Sequence, residues 1–542
     1  MYSKLQKLIL PLVLGMLVVT ACSNKDSQNN HPLNMLRQDV GSEPPTLDLT
    51  KVEDTSSSRI MNDLFAGLLD YDQENNIIPG MASSWELSPD GKTYTFHLRH
   101  DLKFSDGSAI TAKDFVYSWR RLVAPKTASP YDSYLASIVN AKQIIQNKAS
   151  PKTLGVEAKD SYTFVVNLEQ PNASFLKLLL LNVTYVISQK NIEKYGSSWT
   201  EPANMVTSGP YQLKEHVVNG YILAVKNPYY YDESNVSIEQ VKYLPYEDKN
   251  TTIPSYKSGG LDISFQAIPV DQYAELKKQF GNQLHTVTQE ALYYYDFNMK
   301  NPVFANNIKL RQALSMAVDR EVLTRDVLKQ GQKPLYSMST ATVDNGVYAG
   351  LQYDWASLPR DEQVRRAQLL YHAAGYSKSH PLEISLSYNT NDLHKRVALA
   401  VSAMWQDVFG DEIKVKLQNQ EWKTFIQSRH KGNYEIARDG WVADYNGITS
   451  YTMLYAHNSG QNNSHYYNPK YDALLQQAIL EIDPNKQVEL FKQALTVPLN
   501  DYPTIPLFQY TYQQLVKPYI KNYYPDKNYL EHMQSKWMSI AK

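Results

Sequence analysis

The segment KTYTFHLRHDLKFSDGSAITAKDFVYSWRRL, residues 92–122, constrains the architecture more than any other stretch of its length. Tyr94, Phe96 and Leu98 alternate with polar residues, the period of a half-buried strand. Pro89-Asp90-Gly91 before it and Asp106-Gly107 after it supply turn chemistry. Thr111 and Asp114 then have the spacing of a capping box, and Val116, Trp119 and Leu122 continue at helical intervals. The same alternation recurs downstream. IKLRQALSMAVDREVLTRDVLKQ has helical periodicity through Leu310, Leu314, Ala317 and Val318. A second helix is expected from about Leu393 to Phe409, leading into the strand IKVKLQNQ, with a further strand over Tyr434–Arg438. No repeat of about 20–50 residues is present. The pattern predicts α/β lobes, and 542 residues suffice for three or four domains of about 150 residues.

The N-terminus reads as a processing segment. Lys4 and Lys7 precede an apolar run, Leu8 to Val19, that is short for a bilayer span. It ends in Val19-Thr20-Ala21-Cys22, the small-residue pattern of a bacterial lipobox, and Cys22 is the only cysteine. Residues 1–21 are expected to be a lipoprotein signal peptide, Cys22 the lipidated residue, and 22–34 a flexible polar tether. A single cysteine excludes an internal disulfide, a thiolate metal site and a cysteine nucleophile. The 54 Lys+Arg nearly cancel the 55 Asp+Glu, so no nucleic-acid partner is expected. The charge run Glu362–Arg366 reads as a solvated helix face. The 41 tyrosines against 14 phenylalanines suit surfaces that are partly wet and partly buried.

HExxH, CxxC, Walker A and GxSxG motifs are all missing, and His457 and His465 have no familiar metal spacing. No cofactor or metal is expected. The segment ARDGWVADYN, residues 437–446, carries the chemistry that remains. Asp439 and Asp444 are an odd distance apart, so a continuous strand would turn them to opposite faces, which weakens an acid/base pair. Arg438 and Asp444 are evenly spaced and, in an extended chain, about 20 Å apart. Two opposite charges across a peptide-sized space fit a clamp better than a catalytic couple.

ARDGWVADYN, the upstream QEWKTFIQSRHKGNYEIA, NTNDLHKRVALA and KFSDGSAITAKDFVYSWRRL together resemble the oligopeptide-binding proteins of peptide ABC importers, a family of extracytoplasmic solute-binding proteins. The resemblance runs from about Met35 to the C-terminus. It implies a bilobal, periplasmic-binding-protein-like α/β fold with an extra third domain and a hinge. Residues 35–65, 190–288 and 512–542 would form lobe I, 66–189 the extra domain, and 289–511 lobe III. An extended peptide would lie between the lobes, pairing its backbone with protein strands. The strand Arg438–Val442, with Gly440 and Trp441, matches one edge of that cleft, and the stretch around Glu53–Thr55 the other. Asp444 matches the aspartate that pairs with the ligand α-ammonium. Arg438, His394 and Lys329 match cations that serve the carboxylates of successively longer peptides. Trp422, Tyr510, Tyr294 and Tyr131 match aromatic walls of side-chain pockets. The chain departs from the resemblance at Asp439, where relatives carry a small or amide residue and where a pairing with Arg438 is expected to weaken that anchor, and at Thr55, which replaces an apolar residue.

With the lipobox, the resemblance implies a monomeric, lipid-anchored receptor on the extracytoplasmic face of the cell membrane, and the lipidation points to a Gram-positive surface. It would deliver short peptides to ABC permease subunits and would not be an enzyme. A receptor for one signalling peptide is the alternative, and an extracellular hydrolase using Asp439 and Asp444 is the reading from a different class.

Overall fold

The computed structural model describes residues 34–541 apart from Glu74, Asn75, Ala173, Gln266, Ala267, Ile482 and Met533. The expected signal peptide and Cys22 lie outside these residues, as does the tether up to residue 33. Among the described residues, no helix is long and apolar enough to cross a membrane.

Three larger sheets organise the chain. In one, strands Ala82–Leu87, Thr93–Leu98, Thr163–Asn167 and Val156–Ala158 lie in that order and pair antiparallel. Tyr94, Phe96 and Leu98 are buried while Thr93, Thr95 and His97 are less so, as the alternation predicts. Helix Ala112–Val123 covers the buried face. Its capping box is formed, with the Thr111 amide donating to Asp114 Oδ2 at 2.8 Å. Trp119 is fully buried edge-on against Phe164, with ring centroids 5.0 Å apart, and its indole N–H donates to the Thr184 carbonyl at 2.8 Å.

A second sheet joins Met35–Asp39, Gln240–Leu244, Tyr221–Lys226 and Tyr211–Val217, with the first pair parallel. The third has six strands in the order Lys333–Pro334, Thr504–Leu515, Leu284–Phe297, Ile436–Val442, Leu382–Asn389 and Ile413–Gln420. Its two longest members, Leu284–Phe297 and Thr504–Leu515, pair antiparallel from Leu284↔Leu515 to Asp296↔Thr504. One end of this ribbon packs with Leu244, Ile253, Tyr256 and Leu261, and the other lies in the large core around Tyr293 and Phe508. The ladder is interrupted between Thr288 and Leu292. There Gln289 donates to Glu531, while Thr340 and Thr342 donate to Glu290, so neighbouring side chains are held by segments far apart in sequence. The expected lobe limits at 288/289 and 511/512 thus fall inside two continuous strands. A period-2 pattern carries no mark of where a strand leaves one core for another.

Two elements differ from expectation. The periodic stretch after Ile308 is not one helix: helix Ile308–Ala317 ends before Val318, Asp319 caps a new turn at Val322, and a π-helical segment Leu323–Leu328 follows. Asp319 is a better cap than helix interior, so the local choice overrides the periodicity. The strand expected over Tyr434–Arg438 runs instead over Ile436–Val442, carrying the ARDGWV segment into the sheet. Glu362 on helix Arg360–Ala373 takes both Arg365 and Arg366 on an exposed face, as its charge run suggests.

Candidate ligand-binding site

Strand Ile436–Val442 has one covered edge and one open edge. It pairs with Leu284–Phe297 along Ile436–Val442, but with Leu382–Asn389 only at Ile436 and Ala437. The Ala443 amide donates to the Glu290 carbonyl at 2.7 Å, continuing that ladder. The alternation of an antiparallel pair then turns the backbone of Arg438, Gly440 and Val442 to the other edge. That edge borders a cavity of about 210 Å³, whose opposite wall includes Glu53, Asp54, Thr55 and Tyr131.

Asp444 sits at one end of this edge, 9% exposed. Its Oδ2 accepts from the Tyr134 hydroxyl at 2.5 Å and from Ser450 Oγ at 3.4 Å, and its amide donates to Ser450 Oγ at 2.9 Å. Among the described residues no cation lies within ion-pair distance. Burial pushes its carboxyl up to about 7, against the two hydroxyls that favour the anion. A carboxylate desolvated without a counter-charge is costly, and a ligand cation would remove that cost.

Arg438 lies on the same wall, also 9% exposed. Its Nη2 donates to the Tyr510 hydroxyl at 2.5 Å, its Nη1 to Asn389 Oδ1 at 3.4 Å, and its guanidinium stands 5.2 Å from the Tyr293 ring centre. Nε has no partner, and no carboxylate is in ion-pair reach among the described residues. Gly440 makes this fold-back possible: a Cβ there would meet Arg438 Nη2 at 2.9 Å and Tyr510 Oη at 3.0 Å. His394 is buried nearby with an unpartnered Nδ1, and burial together with Arg438 holds its imidazole well below the usual range, hence neutral.

Thr55, Tyr131, Tyr294, His394, Trp422, Arg438, Gly440, Trp441, Val442, Asp444 and Tyr510 all reach the cavity wall. Lys329 does not. It is exposed at the end of the π-helical segment, in the left-handed conformation at φ 56°, outside the wall. The expected pairing of Asp439 with Arg438 is also corrected. Asp439 pairs instead with Arg429, accepts from Asn463 Nδ2 at 3.0 Å, and caps the Gly440 amide at 2.7 Å. Adjacent strand residues point to opposite faces, so Arg429, arriving from helix Trp422–Lys431, reaches Asp439 where Arg438 does not. Asp444 lies beyond the end of this strand, and the two aspartates have separate partners, Arg429 for Asp439 and Tyr134 and Ser450 for Asp444. Sequence reasoning missed Tyr134, Asn389 and Arg429 as wall or contact residues. A second tyrosine three positions after Tyr131 was the available signal for the first.

Residues 76–463 match the family described as bacterial extracellular solute-binding proteins, family 5 Middle. The chain belongs to this family. The periplasmic oligopeptide-binding protein OppA of Haemophilus influenzae is 38% identical over 504 residues, 93% of each chain. The structure of that OppA in complex with RPPGFSPFR superposes with a TM-score of 0.91, covering 94% of this family 5 protein and 99% of that chain. Escherichia coli murein tripeptide-binding protein MppA gives a TM-score of 0.90 at 35% identity, covering 94% and 99%. Its unliganded open form gives only 0.65 over 94% and 98%. Against one relative in two forms, the family 5 protein therefore departs from the open arrangement, and its fold is the bilobal α/β fold of these binding proteins.

Proposed function

We propose that this family 5 protein is an extracytoplasmic receptor that encloses short peptides in extended form and delivers them to an ABC importer. The observation that carries the reading is a charge subtraction on the cavity wall. Glu53 pairs with His430 at 2.9 Å, Glu531 with Arg59 at 3.7 Å, Asp439 with Arg429, and Asp54 caps helix Thr55–Leu64. Glu247 is also engaged, and Asp444 and Arg438 are left as an anion and a cation with neither an ion pair nor a helix to cap, at the two ends of an open strand edge. A zwitterion with a peptide backbone supplies both charges and the strand. Backbone pairing is indifferent to side chains, and the phenol-lined wall suits varied ones.

Asp444 takes the α-ammonium in this reading and Arg438 the carboxylate, with neutral His394 as a hydrogen-bonding neighbour. The ribbon Leu284–Phe297/Thr504–Leu515 is the hinge between lobe I (35–65, 190–288, 512–542) and lobe III (289–511), with 66–189 as the extra domain. Ligand contacts made only on closure favour the closed form. The same proposal includes an anchor at Cys22 in the cell membrane, a monomeric state, transfer to permease subunits and no catalytic activity. The lipobox at 19–22 supports the anchor. Calorimetry with free and N-acetylated tri- to pentapeptides tests the reading: heat from the former and at least tenfold weaker binding of the latter are expected. Equal binding of both sets, or hydrolysis of the peptides during the titration, overturns it.

A further inference from the structure

Two arginines line the cavity among the described residues, Arg429 and Arg438, and they are not in the same state. Arg438 has no carboxylate partner. Arg429 is buried against Asp439, and both side chains are less than 10% exposed. Asp439 is itself held from three sides, by Arg429, by Asn463 Nδ2 and by the Gly440 amide. Behind it lies a second buried carboxyl, Asp296, on strand Leu284–Phe297. Burial and then the charge of Asp439 push Asp296 well above the carboxylate range; burial also raises Asp439, but Arg429, the hydrogen bond from Asp296, Arg438 and the Gly440 amide together hold it below. The group therefore carries one negative charge opposite one guanidinium, with the second carboxyl protonated in reserve. Trp422, at the start of the helix that carries Arg429, presents an unpartnered indole Nε1 at the same wall.

We propose that Asp439 is a specificity-determining residue that masks Arg429, so that the cavity discriminates against ligands with an acidic side chain. A guanidinium facing a peptide cleft would otherwise recruit a second carboxylate, from a glutamate or aspartate side chain or from a terminus in another register. With its charge already matched by a buried neighbour, Arg429 offers an incoming anion no net attraction, and the Asp439 carboxylate repels it. Arg438 remains the cation that a ligand carboxylate can satisfy, which fixes a single register for the terminus. This inference rests on the peptide-receptor reading.

The test is calorimetry with alanine peptides of three to five residues, each with and without one internal glutamate. The wild-type protein is expected to bind the glutamate peptides more weakly than their alanine parents. Asp439→Ala removes the mask but leaves Asp296 free to ionise against Arg429, so the glutamate peptides are expected to gain only in part relative to those parents. Adding Asp296→Asn removes the reserve carboxyl and is expected to bring that gain to at least tenfold. Adding Arg429→Gln to Asp439→Ala is expected to abolish it, an outcome that a purely structural role for Asp439 would not produce. If Asp439→Ala fails to fold, Asp439→Asn carries the same expectation with the side-chain volume kept. An unchanged ratio in the folded carboxylate variants overturns the assignment, and so does a gain that persists without Arg429. If the wild-type protein binds none of these peptides, the receptor reading itself falls; if it binds them and only the ratio fails to move, the masking role alone falls.

Discussion

Tyr134 donates its phenolic proton to Asp444 across 2.5 Å, although 310 positions separate them in the chain. Tyr134 belongs to the region of the Ala82–Leu87 sheet, whereas Asp444 follows the open strand of the six-stranded sheet. The contact therefore joins the candidate ammonium clamp to a part of the chain far from it in sequence, and it would break if the proposed opening draws these two parts of the molecule apart.

Asp444 makes ligand binding pH-dependent. Its carboxyl is pushed from 3.8 up to about 7 by burial, so the closed, ligand-free form binds more protons than the unfolded chain between those values. The contribution to closed-state stability is present below pH about 3.8 and is lost as pH rises through about 7. An α-ammonium needs the ionised form, so peptide affinity is expected to rise as pH climbs from 5.5 to about 7.5. Titrations in buffers of different ionisation enthalpy should show proton release on binding below pH about 7. Asp444→Asn should flatten the pH profile and weaken peptides with a free N-terminus at least tenfold.

Tyr134→Phe removes a hydrogen bond to a charged acceptor, a loss of about 1.5–3 kcal/mol or at least tenfold in affinity. Because Tyr134 favours the Asp444 anion, its removal should also move the pH midpoint of binding upward. A weaker affinity with an unmoved midpoint would mean that the hydroxyl acts on packing and not on the carboxylate.

Arg438→Ala should remove discrimination between peptide acids and their C-terminal amides. Truncating one partner of a buried charge pair costs about 2–5 kcal/mol, so the acids should weaken by more than tenfold and the amides by less. The loss should be greatest at one peptide length, as calorimetry over a length series will report. A uniform loss across lengths and termini would assign Arg438 to structure.

Gly440→Ala separates site geometry from stability. The added Cβ would collide with the ends of Arg438 and Tyr510, side chains that can swing away without unfolding the strand. Thermal melting should stay close to wild type while the preference for a free C-terminal carboxylate falls. A large drop in melting temperature would show that the strand cannot relax around the methyl group.

Trp119→Ala is expected to cost about 3–5 kcal/mol, measured by chemical denaturation, because the indole is fully buried against Phe164 and satisfies the Thr184 carbonyl.

Local pattern alone determined the strand at Tyr94–Leu98, the capping box at Thr111 and Asp114, and the alternation of strands and helices. These depend on neighbours within a few positions, which side-chain periodicity and cap chemistry encode directly. The motifs around ARDGWVADYN placed most of the wall residues, since they lie on one strand and the elements flanking it. Tertiary structure alone decided that Lys329 stays in solvent, that Tyr134 completes Asp444, and that Arg429 takes Asp439 and leaves Arg438 without a carboxylate. Each of those outcomes depends on which distant element arrives at a charge first, and in a buried site the first partner to arrive removes most of the electrostatic drive for a second.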